Sequence, residues 1–179
     1  MSSQTPMKRA RGMPGTEVLD MSWEFFGELC RVLAVKVATG GYRPDLVVGI
    51  AKAGVIPGAV VASILRCDFY SLKISRDLGG EKARARPKIL SAAPKEAMGK
   101  RVLIVDELCT SGETLRMATN ALRQVKPLEL MTATSLVKQG GHKPDFYSLE
   151  TDAMVIFPWD RHVVSATGEI ITNPMYQDL

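Results

Sequence analysis

Residues 102–115 constrain the fold of this chain more than any other part of the sequence. They read V-L-I-V-D-E-L-C-T-S-G-E-T-L, so four apolar residues are followed directly by two acids, Asp106 and Glu107. The apolar run predicts a buried strand, which we expect the two acids to end. The turn that follows contains hydroxyl side chains and Gly112, and a helical pattern begins after it. The stretch therefore predicts a strand–loop–helix unit of an α/β fold.

This arrangement suits a ligand that carries a sugar diol beside a phosphate monoester. Carboxylates accept hydrogen bonds from hydroxyl groups, and backbone amides in a tight loop and at a helix N-terminus bind phosphate. A ribose 5-phosphate presents both groups. The alternative is an ordinary strand–loop–helix unit with a solvated acidic end. A Walker-type P-loop does not fit, because no Gly-Lys-Ser/Thr follows the glycine.

The size and composition of the chain indicate one globular domain. Its 179 residues, of which 46% are hydrophobic, suffice for a sizeable core. No apolar run is long enough to span a bilayer, and the three cysteines lack paired or metal-ligand spacing. We also expect no signal peptide before the fold. We therefore expect a cytoplasmic protein that has no membrane partner.

The net charge of +4 is compatible with a nucleic-acid surface or with a pocket for an anionic small molecule. Basic residues cluster at 8–11 and at 82–88, but no aromatic residues lie between them. Proteins that bind single strands stack bases on aromatic side chains. The pattern favours the small anion, and nucleic acid is not expected as a partner.

Strand and helix signals alternate along the chain. Residues 1–18 are polar and basic, which predicts a disordered arm, and residues 19–179 are assigned to the one domain. Ser22 is a predicted helix cap, and the helix that follows ends at Gly40 and Gly41. The other predicted elements are strands at 45–50, 69–74, 88–91, 130–137 and 153–157 and a helix at 55–66. Alternation of this kind predicts a mostly parallel sheet covered by helices, whose ligands bind beyond the carboxyl ends of the strands.

The stretch at 102–115 resembles the 5-phosphoribosyl-1-pyrophosphate (PRPP) motif of type I phosphoribosyltransferases. In that motif an apolar strand, two acids and a Thr-Gly-x-Thr-like turn follow one another. The resemblance implies a single-domain α/β fold with a central, mostly parallel sheet flanked by helices and a flexible hood loop. It also implies that Asp106 and Glu107 are catalytic and hold the ribose hydroxyls. The implied 5-phosphate-binding residues are Thr110, Ser111, Gly112, Glu113 and Thr114.

A second loop, I-A-K-A-G at 50–54, directly follows a predicted strand. Its small residues allow backbone amides to approach a phosphate, and Lys52 adds a positive charge. A plain turn with an exposed lysine is the alternative. In the resemblance this is the pyrophosphate loop, formed by Ala51, Lys52, Ala53 and Gly54, with Lys52 also catalytic. In the family this loop often carries a cis peptide bond before the basic residue, and the matching bond here is Ala51–Lys52.

The connection at 76–100 is unusually long and contains two prolines and a basic cluster. Such connections in compact domains are lids or solvated loops. The resemblance implies the flexible hood, which closes over the reacting centre and excludes water.

Lys138 and the F-P-W-D-R stretch at 157–161 extend the resemblance to bacterial xanthine-guanine and hypoxanthine phosphoribosyltransferases. In those proteins the matching lysine contacts the exocyclic oxygen of a 6-oxopurine. The implied base-binding residues are Lys138, Met154 and Val155, and Asp160 matches an acid near magnesium. Arg161 is expected either to meet pyrophosphate or to pair with a surface acid. Trp159 is expected in the core or at a dimer contact.

Two residues depart from the pattern of those purine enzymes, and both are on the base side. Thr110 stands where they place an aspartate that handles a proton of the purine, and a hydroxyl cannot replace a carboxylate base near neutral pH. Met154 stands where they carry a tryptophan that stacks on the base. Methionine covers a ring less specifically through its polarisable sulfur.

The resemblance implies an enzyme that transfers 5-phosphoribosyl from PRPP to a purine base in nucleotide salvage and releases pyrophosphate. The expected bases are the 6-oxopurines xanthine, guanine and hypoxanthine, the expected cofactor is Mg²⁺, and the expected assembly is a homodimer. Two alternatives stay open. One is a regulatory protein that senses PRPP, and the other is a phosphoribosyltransferase for a non-purine acceptor.

Overall fold

The structure, a computed structural model, describes residues 8–9, 17–75 and 87–177. Its helices are α1 (Trp23–Thr39), α2 (Val55–Leu65) and α3 (Glu113–Arg123). Its strands are β1 (Lys8–Arg9), β2 (Glu17–Asp20), β3 (Leu46–Ala51), β4 (Asp68–Ser75), β5 (Lys88–Ile89), β6 (Arg101–Cys109), β7 (Glu129–Val137), β8 (Phe146–Glu150), β9 (Met154–Ile156), β10 (His162–Val164) and β11 (Ile170–Thr172). Within these described ranges, every helix is too short or too polar to cross a membrane.

The chain divides into two compact units. The larger unit is the continuous segment Leu29–Thr151. The smaller unit combines the described residues up to Glu28 with those from Asp152 onwards.

The larger unit is built on one sheet with the strand order β5-β4-β3-β6-β7-β8. Neighbouring strands from β4 to β8 run parallel, and only the short β5 is antiparallel, against β4. The chain leaves β3 towards β4 but leaves β6 towards β7, in the opposite direction. The strand order therefore reverses between β3 and β6. In open parallel sheets, the crevice at such a switch point is where ligands bind.

The two crossover helices cover opposite faces of this sheet. Leu46, Val48 and Ile50 of β3 share a buried cluster with residues of α3. Gly49 points the other way, where an added Cβ would lie 3.0 Å from the Cα of Val55 in α2. Alternate residues of β3 therefore face α2 and α3 in turn. This is the placement expected when right-handed crossovers leave a sheet in opposite directions.

The smaller unit contains short strands and an aromatic cluster. β2 pairs antiparallel with β1 and parallel with β9, and β10 and β11 form an antiparallel hairpin. The rings of Phe157 and Trp159 stack with centroids 4.7 Å apart, and Phe26 meets Trp159 edge-on at 4.9 Å. Trp159 is therefore half-buried among aromatic side chains, in agreement with the expected core position.

The predicted α/β fold with a central, mostly parallel sheet is confirmed, and so is the predicted helix cap. The Ser22 hydroxyl accepts a hydrogen bond from the Phe25 amide at 3.2 Å. The expectation that the acids end their strand is wrong, because β6 continues through them to Cys109 while pairing with β7. The strand predicted at 153–157 exists as β9 but pairs with β2 outside the central sheet. Strands β1, β2, β8, β10 and β11 were not predicted.

Two other predictions fall partly outside the described residues. Of the predicted arm at 1–18, residues 1–7 and 10–16 lie outside them, whereas Lys8–Arg9 and the start of β2 at Glu17 have strand backbone. Of the predicted hood loop, residues 76–86 lie outside. The returning strand predicted after them is present as β5, with Ile89 opposite Ile74 of β4.

An ion pair joins the amino-terminal ends of the two central strands. Arg101, the first residue of β6, donates from Nη2 to Asp45 Oδ1 at 2.8 Å and from Nε to Asp45 Oδ2 at 3.1 Å. The Arg101 backbone amide also donates to Asp45 Oδ2 at 2.9 Å. These hydrogen bonds lower the pKa of Asp45 from 3.8 to about 2.

We expect Asp45→Asn to lower the free energy of unfolding at neutral pH and this effect to fade in acid. Because the pKa of Asp45 is lower in the folded chain, its carboxylate stabilises the fold well above pH 3.8 and loses that contribution as the pH falls towards about 2. About half of the contribution should remain at a pH of about 3. Urea unfolding of wild type and variant at several pH values checks this. A difference that does not change with pH would contradict it.

Candidate active site

The two acids of the central motif lie at the carboxyl end of β6, at the switch point. Asp106 is 7% exposed, and Glu107 is half-buried. Asp106 Oδ1 accepts a hydrogen bond from the Glu107 backbone amide at 3.0 Å, which fixes the direction of this carboxylate. Because β6 still pairs with β7 at Asp106, the acids stand on a rigid strand and not on a loose turn.

The loop after β3 lies directly beside these acids. The Ala51–Lys52 peptide bond is cis, which confirms the expectation for this bond. An added Cβ on Gly54 would lie 2.7 Å from Asp106 Oδ1 and 2.8 Å from the Val105 carbonyl oxygen. The loop can approach β6 this closely only because residue 54 has no side chain. The Lys52 side chain is exposed at the tip of the loop.

A second loop leads from β6 into α3. Gly112 has a φ of +73°, in the left-handed region that favours glycine, and α3 begins immediately after it. The Ser111 hydroxyl accepts a hydrogen bond from the Glu113 amide at 3.4 Å. The first amides of a helix have no partners within the helix, so this end of α3 can bind an anion.

These segments enclose one cavity of about 270 Å³. Nine candidate residues line it: Ala51, Lys52, Ala53, Asp106, Glu107, Thr110, Gly112, Glu113 and Thr114. Two more, Gly54 and Ser111, belong to the same loops without lining the cavity. The cavity combines carboxylates for hydroxyl groups, backbone amides for phosphate and a lysine for a second anionic group.

Cavity-lining residues that sequence reasoning missed include Ile74 and Cys109. Ile74 lies near the carboxyl end of β4, so the shared sheet edge was the signal that could have found it. The Cys109 thiol donates to the His142 carbonyl oxygen at 3.2 Å. Burial, and to a lesser degree the negative charge of Asp106, raises the pKa of this thiol. Cys109 is therefore a neutral hydrogen-bond donor and not an activated nucleophile.

Lys138 begins the loop that follows β7, next to the loop that joins β6 to α3. Its backbone amide donates to the Cys109 carbonyl oxygen at 3.0 Å. Its side chain is half-buried. A predicted base-binding residue therefore lies on a segment bonded to the end of β6.

The remaining candidate residues belong to the smaller unit. Met154 and Val155 lie on β9, opposite Val18 and Leu19 of β2, and both are half-buried. Asp160 is exposed, and its carbonyl oxygen accepts a hydrogen bond from the Asn173 side chain at 2.9 Å.

Arg161 forms an ion pair with Asp20, whose side chain is 18% exposed. Pairing with an acid was one of the two expectations for Arg161. Its expected contact with pyrophosphate stays a prediction, as do the roles of Met154, Val155 and Asp160.

The Phosphoribosyl transferase domain family matches residues 22–166 of the chain, which include the whole larger unit. The chain belongs to the phosphoribosyltransferase family. It is thus a PRPP-dependent glycosyltransferase, and the cavity at the switch point is the candidate active site of this phosphoribosyltransferase.

Among curated relatives, the chain resembles bacterial xanthine-guanine phosphoribosyltransferases. It is 29% identical over 174 residues to the one from Ruegeria sp. (strain TM1040), covering 89% of this chain and 93% of the relative. It is 28% identical over 145 residues to the one from Gluconobacter oxydans (strain 621H), covering 78% and 83%. The fold is similar to a purine phosphoribosyltransferase from Pyrococcus horikoshii, with a TM-score of 0.69, 24% identity and coverage of 83% and 97%.

We expect Gly54→Ala to disturb the cavity of this phosphoribosyltransferase. The added methyl group would press against backbone atoms of β6 and the Asp106 carboxylate, which should cost about 1–3 kcal/mol of stability and weaken PRPP binding. Gly27→Ala is the matched control, because no atom lies within 4 Å of its added Cβ in α1. The control should stabilise the fold by about 0.5–1 kcal/mol. Urea unfolding and PRPP titration of both variants test this; equal behaviour would contradict it.

Proposed function

We propose that the protein transfers the 5-phosphoribosyl group of PRPP to a 6-oxopurine base, such as xanthine, guanine or hypoxanthine, and releases pyrophosphate. The observation that carries the proposal is the cavity at the switch point. There the paired acids meet two loops, which we call the phosphate loop (residues 110–114) and the lysine loop (residues 51–54). The ribose, the 5-phosphate and the pyrophosphate of PRPP each have a chemically suited partner there. The names of the curated relatives support a purine as the acceptor.

Asp106 and Glu107 act on the ribose in this proposal. Their carboxylates accept hydrogen bonds from the ribose hydroxyls and favour positive charge on the ring. Transfer at a glycosidic carbon proceeds through an oxocarbenium-like transition state, so this charge is where stabilisation counts. The amides and hydroxyls from Thr110 to Thr114 hold the 5-phosphate and fix the position of the ring.

Lys52 and the amides of its loop act on the leaving group. Pyrophosphate gains negative charge as the glycosidic bond breaks, and a lysine ammonium beside it stabilises that charge. The exposed position of Lys52 at the loop tip leaves its ammonium accessible to a ligand. We also assign Ala51, Ala53, Gly54 and Arg161 to the pyrophosphate side.

The residues present fit a magnesium ion that arrives with the substrate. Across the described part of the chain, no three His, Cys, Asp or Glu side chains are grouped as metal ligands. Magnesium keeps several waters and is bound by one or two carboxylates together with substrate phosphates. Asp160 is the proposed protein ligand. The ion would neutralise charge on the pyrophosphate.

Fewer observations support the proposed binding of the purine base. Lys138, Met154 and Val155 are the proposed base-binding residues, with the lysine ammonium donating to the exocyclic oxygen of a 6-oxopurine. Thr110 lines the cavity where purine enzymes of this family carry an aspartate. This difference favours two alternatives, a PRPP-sensing regulatory protein and transfer to a non-purine acceptor.

The proposed assembly is a homodimer located in the cytoplasm. Helix α2 supports self-association, because it contains no charged residue and yet leaves Val60 37% and Ile64 44% exposed. A helix that is apolar on all sides is normally covered. A solution mass of one chain would contradict the dimer.

We expect Asp106→Asn combined with Glu107→Gln to abolish turnover while the fold is retained. Loss of groups that stabilise transition-state charge costs on the order of 100-fold or more in kcat. The control is Asp68→Asn combined with Glu96→Gln, which removes the same two charges at exposed positions away from the cavity. Pyrophosphate release and urea unfolding are measured for both. Near-wild-type turnover in the first double variant would refute the role of the acids.

A panel of bases separates the proposed function from its alternatives. With PRPP and magnesium, we expect wild-type protein to release pyrophosphate with xanthine, guanine or hypoxanthine. Thr110→Asp should raise kcat on the order of 100-fold by restoring a carboxylate base, and Thr110→Asn should not. Turnover of orotate or uracil instead would show a non-purine acceptor. If folded protein turns over no base but binds nucleic acid with a steep, PRPP-dependent salt response, the regulator is correct.

A further inference from the structure

The loop after β7 and the loop after β6 are joined by direct contacts, although about 30 residues separate them in the chain. Besides the Lys138 amide, the His142 amide donates to the Thr110 carbonyl oxygen at 2.8 Å. The Cys109 thiol donates to the His142 carbonyl oxygen at 3.2 Å. Residues 138–142 therefore hold the carbonyl groups of residues 109 and 110 at the base of the phosphate loop.

The His142 ring lies against the glycine that starts α3. An added Cβ on Gly112 would lie 2.5 Å from both Cγ and Cδ2 of His142, so the ring occupies the space beside this glycine. On the other loop, an added Cβ on Gly141 would lie 2.5 Å from the Thr110 carbonyl oxygen. Each loop thus places a glycine at the point of closest approach, and the flat imidazole covers the junction.

Only the β6 side of this junction lines the cavity. Gly112 and Thr110 line the cavity, and Lys138 begins the segment that ends at His142. A shift of the phosphate loop therefore moves the backbone that carries Lys138, and a shift of Lys138 moves the phosphate loop.

We propose that His142 is a positioning residue that couples 5-phosphate binding to base binding. Its ring holds the phosphate loop and the loop that carries Lys138 in one arrangement. Each of these loops is therefore ordered for binding only when the other is ordered too. The coupling is reciprocal, because the factor by which a bound phosphate raises the affinity for the base equals the factor by which a bound base raises the affinity for the phosphate. This inference rests on the proposed function, in which the first loop binds the 5-phosphate and Lys138 contacts the base.

Calorimetric titrations with two ligands distinguish the contributions of the two loops to binding. Ribose 5-phosphate reports on the phosphate loop alone, whereas guanosine 5′-monophosphate engages both loops. The ratio of the dissociation constant of ribose 5-phosphate to that of guanosine 5′-monophosphate measures how much the base adds to binding. We expect His142→Ala to weaken ribose 5-phosphate binding roughly 10-fold and to lower the ratio at least about 5-fold, within the usual size of coupling between sites. A residue that supports only the phosphate loop would leave the ratio unchanged.

Three further variants sharpen the test. His142→Phe keeps a flat ring and should retain both values within roughly 3-fold, because the proposal assigns the effect to ring packing. Gly141→Ala separates the loops from the other side and should reproduce the His142→Ala result. Lys143→Ala, directly after this segment, is the control; its ammonium pairs with Glu150 and not with the phosphate loop.

The outcomes for the proposed function and for this inference are distinct. If wild-type protein binds neither ligand, the proposed function fails and the inference fails with it. Urea unfolding establishes that the His142→Ala and Gly141→Ala variants are folded. If wild type binds both ligands and these folded variants keep the wild-type ratio, only the inference is overturned. A ratio lowered equally in Lys143→Ala would also overturn it.

Discussion

The close approach of the loop after β3 to the end of β6 is the contact on which the cavity depends. At Gly54 the backbone lies against the Asp106 carboxylate and the Val105 carbonyl group, and any side chain would push the two segments apart. The sheet topology brings these segments together, since β3 and β6 are neighbours whose crossovers leave in opposite directions. The same contact sets the distance between the lysine loop and the acids, and therefore the size of the ligand that fits.

The two central strands of the sheet, β3 and β6, could be predicted because they are buried on both faces. Residues of β3 and β6 form continuous apolar runs, which local sequence shows clearly. Strand β8 could not, because its residues are all half-buried and mix aromatic, polar and acidic types. The length of β6 was underestimated for a related reason. Its two acids look like the end of a strand, but pairing with β7 holds them in the ladder.

The donor side of the site could be predicted because its residues are contiguous in sequence. Two short motifs, at 50–54 and 106–114, contain every candidate residue that lines the cavity. The junction at His142 could not be predicted, since it depends on contacts between segments distant in the chain and on the missing side chains of Gly112 and Gly141. The sequence also left open whether Arg161 pairs with an acid, because its partner Asp20 lies about 140 residues earlier in the chain, in a strand that was not predicted.

The division of the chain into units has a consequence for the order of folding. The larger unit is one continuous segment, whereas the smaller unit requires β2 to pair with β9, from Val18 to Met154. Closing so long a loop is entropically costly, and contacts between distant residues form slowly. During synthesis the strands from β3 to β7, which carry the cavity, leave the ribosome before β9 does. The cavity at the switch point would then be in place before the last strands of the smaller unit find their partners.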